Sequence, residues 1–337
     1  MNAALDLLPW HEGPFQQLYQ QWAAERLGHA WLITGPEGVG KGVFARHFAQ
    51  RLFCRAAEGR VACGQCKDCQ YFAAGTHPDW RFLRPEKKLI TIDQVRDSMD
   101  FSFTHSQRGG YKVLCLAPAE AMNANAANAL LKLLEEPPPM PLLLLRRHQS
   151  GLLLPTLRSR CQQLKIPLPE QEAALAWLQQ QDCPNAGELL LRAGGAPLRA
   201  LALAEAGRLS EHENVLGLVC DILRGRSTAL AAARKCDKLS VAGLVEHLMQ
   251  DLVLLLKASQ AGQTLEGSSL QSLQALIADG AQPRQSQRLL HALYINLDRI
   301  RVTALASNNA NPQLLLEQVF GEWHRVARLT AAGRLDG

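Results

Sequence analysis

The sequence has no hydrophobic run long enough to cross a membrane. Its longest aliphatic stretches, Leu142 to Leu145 and Leu252 to Leu256, fall far short of the roughly 18 residues a membrane helix needs and are expected to be a buried strand and a buried helix. No positively charged start leads into an apolar stretch, so no secretory signal is expected. There is no internal repeat and no extended low-complexity linker. Neither sign of charge dominates: 36 Lys and Arg face 31 Asp and Glu, a formal net charge of +5. That permits an acidic or nucleic-acid partner but is no nucleic-acid signature by itself. With 20% charged and 47% hydrophobic residues, the composition excludes a disordered chain. A length of 337 residues exceeds one ordinary core and suits two or three domains.

Cysteine is not scarce. Nine are present, and without a secretory signal they point to a reducing compartment, the cytoplasm, where clustered thiols mean metal or chemistry rather than disulfides. Cys63, Cys66 and Cys69 form a C-x2-C-x2-C run with Cys54 upstream. Four thiolates match the tetrahedral preference of structural zinc, and the short spacing lets adjacent ligands fold around one ion. Gly64 loosens the turn, and Lys67 lies close enough to offset thiolate charge. An iron–sulfur cluster or a redox CxxC pair are the alternatives. A four-thiolate zinc knuckle has no open position, which makes it structural.

Up to about residue 165, short apolar runs alternate with helical patterns. "AWLITG" (Ala30 to Gly35), "YKVLCLA" (Tyr111 to Ala117) and "LLLLR" (Leu142 to Arg146) are expected as strands. A helix "NANAANALLKLLEE" lies between the last two, capped by Asn123 or Asn125 and stopped by the prolines from Pro137. This alternation predicts a parallel sheet covered on both faces. Beyond Pro169 the strand patterns vanish. Short amphipathic helices broken at Gly194, Gly195 and Pro197 lead into long Leu-rich helices from about Ser210 onward.

"GPEGVGKG" (Gly35 to Gly42) follows the first strand and opens a helix. Backbone N–H groups exposed by Gly35, Gly38 and Gly40 suit a polyphosphate, and Lys41 suits its β- and γ-phosphates. Two magnesium contacts are missing. Gly42 stands where a Ser or Thr hydroxyl belongs, and Ala117 and Pro118 follow the second strand where an acidic residue is expected, with Glu120 further on. This argues against hydrolysis while leaving nucleotide binding open.

Four features in one order carry a resemblance: the P-loop with a cysteine knuckle after its helix, "NALLKLLEEPPP", "LLPTLRSRCQ" and "GGAPLRAL". Over about residues 28 to 205 the chain resembles the delta prime subunits of bacterial DNA polymerase III clamp loaders. The resemblance implies an α/β AAA+ P-loop module with zinc knuckle (1–165), a small helical lid (166–208) and an all-α collar that oligomerises (209–337). It implies a non-hydrolysing stator, part of the DNA polymerase III holoenzyme, that helps load the sliding clamp on primed DNA beside gamma/tau and delta subunits. Ser159 and Arg160, with Cys161, match the family's Ser-Arg-Cys motif; Arg160 would be the arginine finger given to a neighbour's ATP, with Arg158 the competing candidate. Arg199 matches the arginine that AAA+ lids turn towards nucleotide, and with Gly35, Gly38, Gly40 and Lys41 it would form a degenerate ATP/ADP site. Arg146, Arg147 and His148 stand where a γ-phosphate sensor is usual. In "TIDQVRDSMDF" Arg96 could meet a DNA phosphate, though a solvated arginine fits as well. An ATPase active in its own right, and a zinc-dependent nucleic-acid binder, are the competing functions.

Overall fold

The computed structural model describes residues 6–87, 89–137, 141–147, 154–205, 208–265, 268–279, 283–306 and 310–333. It divides into two compact units, one of residues 1–177 with 195–199, the other of residues 178–194 with 200–337. The first carries α1 (Glu12–Ala23), β1 (Ala30–Thr34), α2 (Lys41–Phe53), α3 (Lys67–Ala73), β2 (Trp80–Leu83), α4 (Ile92–Phe103), β3 (Lys112–Leu116), α5 (Ala124–Glu135), β4 (Pro141–Arg146), the single turn α6 (Pro155–Arg158) and β5 (Gln162–Lys165).

The five strands pair in the order β2-β3-β4-β1-β5, every pairing parallel. Side chains alternate across a strand, and both sides are buried. Trp31 and Ile33 of β1 face Phe44 and Phe48 of α2, in a cluster that also takes Val113, Cys115, Leu142 and Leu144. Their neighbours Ala30 and Leu32 join Leu114, Leu116, Leu143 and Leu145 on the opposite side, under Leu130, Leu133 and Leu134 of α5. Each buried Leu, Ile, Val or Phe here contributes about 1.5–3 kcal/mol by leaving water, and the expected sheet with two covered faces is the observed one. Asn123 caps α5, its side chain accepting from the Ala126 N–H at 2.8 Å. Thr91 and Gln94 cap α4 reciprocally, a T-x-x-Q box that satisfies two otherwise orphaned N–H groups.

Two strands are additional to the expected three. β2 and β5 lie at the sheet edges and bury little of themselves. Their sequences "WRFL" and "QQLK" therefore carry no apolar run. With β5 on one side of β1 and β4 on the other, the loop after β1 opens at the carboxyl ends of three neighbouring strands, the usual ligand position of such sheets.

The second unit is helical throughout its described residues. Across both units run α7 (Gln171–Gln180) and α9 (Pro197–Glu205); α8 (Ala186–Arg192), α10 (Arg208–Leu223), α11 (Ala229–Lys235), α12 (Val241–Ala261), α13 (Ser268–Ala278), α14 (Pro283–Ala306) and α15 (Pro312–Gly333) belong to the second. Its core is Leu-rich, with Phe320 and Trp323 fully enclosed. Arg192 is buried in it and pairs with Glu188 at 2.9 Å, with Glu213, and with Asp251, which also meets His212 Nε2 at 2.7 Å. No described helix is long and apolar enough to cross a membrane.

Candidate functional site

The loop from Gly35 to Lys41 brings together all five residues expected there. Gly40 (φ 85°) caps α2 without a side chain, and Gly38 (φ 83°) lies against the start of α9. A Cβ on Gly38 would come within 2.5 Å of Arg199 Cβ and 2.8 Å of Arg199 N, so only glycine permits the approach. The Leu198 N–H donates to the Gly38 carbonyl at 3.0 Å. From the other side the 3-10 turn Pro9–His11 closes in: Trp10 Nε1 donates to the Val39 carbonyl at 2.8 Å, and His11 Nε2 meets the same oxygen at 2.8 Å. Trp10 stands edge-on to Trp177, ring centres 5.6 Å apart.

Lys41 does not extend into solvent. It is 2% exposed, and its Nζ donates to the carbonyls of Gly35 at 2.7 Å and Pro36 at 2.5 Å. Burial, then the charge of Arg146, lower its pKa to about 8, against the opposing pull of Glu37 and Glu120. Arg146 ends β4 with its guanidinium beside Gly42: a Cβ there would lie 3.0 Å from Arg146 Nη1 and 3.1 Å from Cζ. The same guanidinium lies over the Phe82 ring, 5.7 Å from its centre. A cation thus stands beside the position where a Ser or Thr hydroxyl is expected in a complete phosphate-binding loop. Ala117 is buried just past β3 and Glu120 lies in the 3-10 turn Ala119–Ala121, so no carboxylate directly follows the strand. His148 lies outside the described residues.

His11 gives the loop a pH dependence. Its ring is fully buried, Nε2 must donate to the Val39 carbonyl, and Nδ1 has no partner. Burial lowers its pKa from 6.5 to about 4. Between those values the unfolded chain binds the proton and the folded one does not, so stability falls as pH drops from 6.5 towards 4. The loss reaches on the order of 3 kcal/mol at the acid end. Urea denaturation at pH 7 and pH 5 should show a drop in the wild type that is reduced in His11→Gln; an equal drop in both would remove His11 as its cause.

The second constellation is the thiol cluster. Cys54 ends α2, Cys66 caps α3, Cys69 lies within it and Cys63 lies between. Their sulfurs all lie within 4.8 Å of one another, with Cys54–Cys63 at 3.4 Å and Cys66–Cys54 at 3.9 Å. A tetrahedron with zinc–sulfur bonds of about 2.3 Å has edges of about 3.8 Å, so the four residues fit one ion. The N–H groups of Cys63 and Cys66 donate to the sulfurs of Cys54 and Cys63, each at 3.3 Å. Backbone donors lower the Cys63 pKa to about 6, whereas burial raises those of Cys54 and Cys69. Thiols this close cannot all ionise together unless a cation holds them. Asp68 moors the cluster. It is 3% exposed and accepts from Arg108 Nε at 2.7 Å, a bond that lowers its pKa. Asp79 in turn holds the Ser106 hydroxyl and the N–H groups of Gln107 and Arg108, each at 2.8 Å. Lys67 is exposed.

Arg160 and Ser159 lie apart from both constellations, exposed just after α6. The flanking Leu157 and Cys161 are buried in the α5 cluster, which fixes the backbone and leaves the guanidinium outside. Arg158 is exposed as well. Arg96 on α4 is exposed and stands 3.9 Å from Asp93, one helical turn back. No sequence signal marks Trp10 and His11 as closing the loop, and Arg146 is visible in the sequence while its neighbour Gly42 is not marked as its target.

A family model described as "DNA polymerase III, delta subunit" matches residues 10–170. The chain is 38% identical over 324 residues to DNA polymerase III subunit delta' of Pseudomonas aeruginosa, covering 94% of this chain and 97% of that protein. It is 30% identical over 319 residues to the subunit of the same name from Escherichia coli, covering 93% of each. A solved DNA polymerase III gamma subunit-related protein from Thermotoga maritima is 19% identical, with a TM-score of 0.46 over 93% of this chain and all of that one.

Proposed function

The chain belongs to the DNA polymerase III subunit delta' family, and from that membership we propose that it acts in the clamp loader as a non-hydrolysing AAA+ stator. In this reading α7 to α9 (166–208) serve as lid and residues 209–337 as the oligomerising collar. Arg160 is lent to the ATP of a neighbouring gamma/tau subunit, delta is a further partner, and the sliding clamp and primer-template DNA are reached through the complex in the cytoplasm. The observation that carries it is Arg146 against Gly42. A guanidinium at that position repels magnesium, Gly42 offers no hydroxyl, and Ala117 offers no carboxylate. Phosphoryl transfer rests on positioning and charge neutralisation, in which the metal ion has a large share, and neither Gly42 nor Ala117 offers it a ligand.

The exposure of Arg160 beside buried Leu157 and Cys161 supports the donor role. A guanidinium is always charged and forks onto phosphate oxygens. The cysteine cluster is read as a structural zinc knuckle; zinc would supply tetrahedral cross-linking of Cys54, Cys63, Cys66 and Cys69 and no chemistry.

The test is turnover by the purified chain with magnesium and ATP, expected at background. Gly42→Ser is expected to stay at background too, because Ala117 still supplies no carboxylate. Its added atoms meet the far end of a long side chain rather than backbone, so the stability cost should lie near the low end, about 1 kcal/mol, of what overpacking costs. Measurable turnover in that variant would overturn the non-hydrolysing assignment.

A further inference from the structure

Arg160 is not idle. Its Nη2 lies 2.8 Å from Glu135 Oε1, and its Nη1 donates to the Thr156 carbonyl at 3.2 Å. Glu135 is the last residue of α5, and Glu136 follows it as the cap. A helix C-terminus is the negative end of the backbone dipole, where carboxylates are disfavoured and cations welcome. Two acidic residues there do nothing for α5 by themselves. α5 and α6 pack into one apolar cluster through Leu130, Leu133, Leu134 and Leu157. The distance between the Glu135 and Arg160 backbones is therefore set by the core. Both side chains remain accessible, 52% and 39% exposed.

Carboxylate and phosphate present the same kind of oxygen acceptor to a guanidinium. We propose that Glu135 is a positioning residue, a placeholder anion that holds Arg160 until the terminal phosphate of the neighbouring subunit's nucleoside triphosphate takes its place. This rests on the reading of Arg160 as a finger donated in trans. The pair suits exchange because it is exposed: such ion pairs are weak and screened by salt. A buried pair of the same geometry would keep the arginine. Exchange is stoichiometric, one carboxylate contact given up for one phosphate contact, with no proton moved. Glu135 therefore competes with bound triphosphate, and losing it should tighten nucleotide capture without altering the chemical step.

The experiment is an ATP saturation curve for the assembled loader carrying Glu135→Gln, which keeps the shape of the side chain and removes its charge. KM should fall about 1.5- to 5-fold, the range expected for releasing an exposed ion pair, with kcat unchanged. The difference should narrow as salt is raised, Glu135→Asp should behave as the wild type, and in an Arg160→Ala background the substitution should change nothing. An unchanged or raised KM, or an effect that persists without Arg160, overturns the proposal. The two readings fail differently. Arg160→Ala without effect on the loader sinks the finger itself, whereas a damaging Arg160→Ala with an inert Glu135→Gln sinks only the placeholder.

Discussion

Replacing Arg160 with Ala should leave the loader assembled and slow ATP hydrolysis at one neighbouring site by about 10³ to 10⁵. Assembly should survive because the side chain is partly exposed and its partners are Glu135 and the Thr156 carbonyl, neither of them core. The chemistry should suffer because a charge delivered to the departing phosphoryl group acts in the transition state, where each factor of ten is about 1.4 kcal/mol. Arg160→Lys should not restore the rate, since an ammonium lacks the planar fork. Ser159→Ala should cost far less; its hydroxyl donates to the Thr156 carbonyl at 3.0 Å and serves the local turn. Single-turnover hydrolysis by the reconstituted complex resolves the affected site. Full clamp-loading activity in the Arg160→Ala complex would remove the finger assignment.

Loss of the metal from the cysteine cluster is the second large effect. One zinc per chain is expected by metal analysis, and Cys69→Ser should abolish stoichiometric binding. Structural zinc sites are worth on the order of 10–16 kcal/mol in isolated fingers. Here the rest of the sheet domain has its own core, so the expected result is local: residues 54–73 lose protection against proteases while the sheet stays folded. The disturbance should travel further along one route. Asp68, between Cys66 and Cys69, holds Arg108, and Asp79 holds the same stretch through Ser106, Gln107 and Arg108. Proteolysis should therefore reach the 104–110 segment after chelation and stop there. Absence of bound metal, or an unchanged cleavage pattern after its removal, would refute the structural role.

The parts of this molecule that were legible from sequence are those with a local signature. β1, β3 and β4 announce themselves as apolar runs because both faces of the parallel sheet are covered, and the cysteine cluster is legible because its spacing is its geometry. β2 and β5 are edge strands with little of themselves buried, so "WRFL" is broken by a charge and "QQLK" holds one apolar residue, each too short a signal to mark a strand. The Thr91–Gln94 capping box marks the start of α4 with a local signal of the same kind as the cysteine spacing. Long-range polar contacts had no signal at all. Nothing in the sequence near Arg192 points to Asp251, nothing near Glu135 points to Arg160, and nothing near Trp10 points to Val39. Each is created by packing between elements, which brings together residues whose separation along the chain is arbitrary. Arg146 shows the same limit, for its position after β4 was visible but its contact with Gly42 was not.

The crowding between Arg146 and residue 42 also bears on any attempt to redesign the loop. A hydroxyl placed at 42 meets the guanidinium, and removing the guanidinium alone supplies no metal ligand. A metal ligand at this position would therefore take paired substitutions, at 42 and at 146 together, because the arginine occupies the space that a side chain at 42 needs.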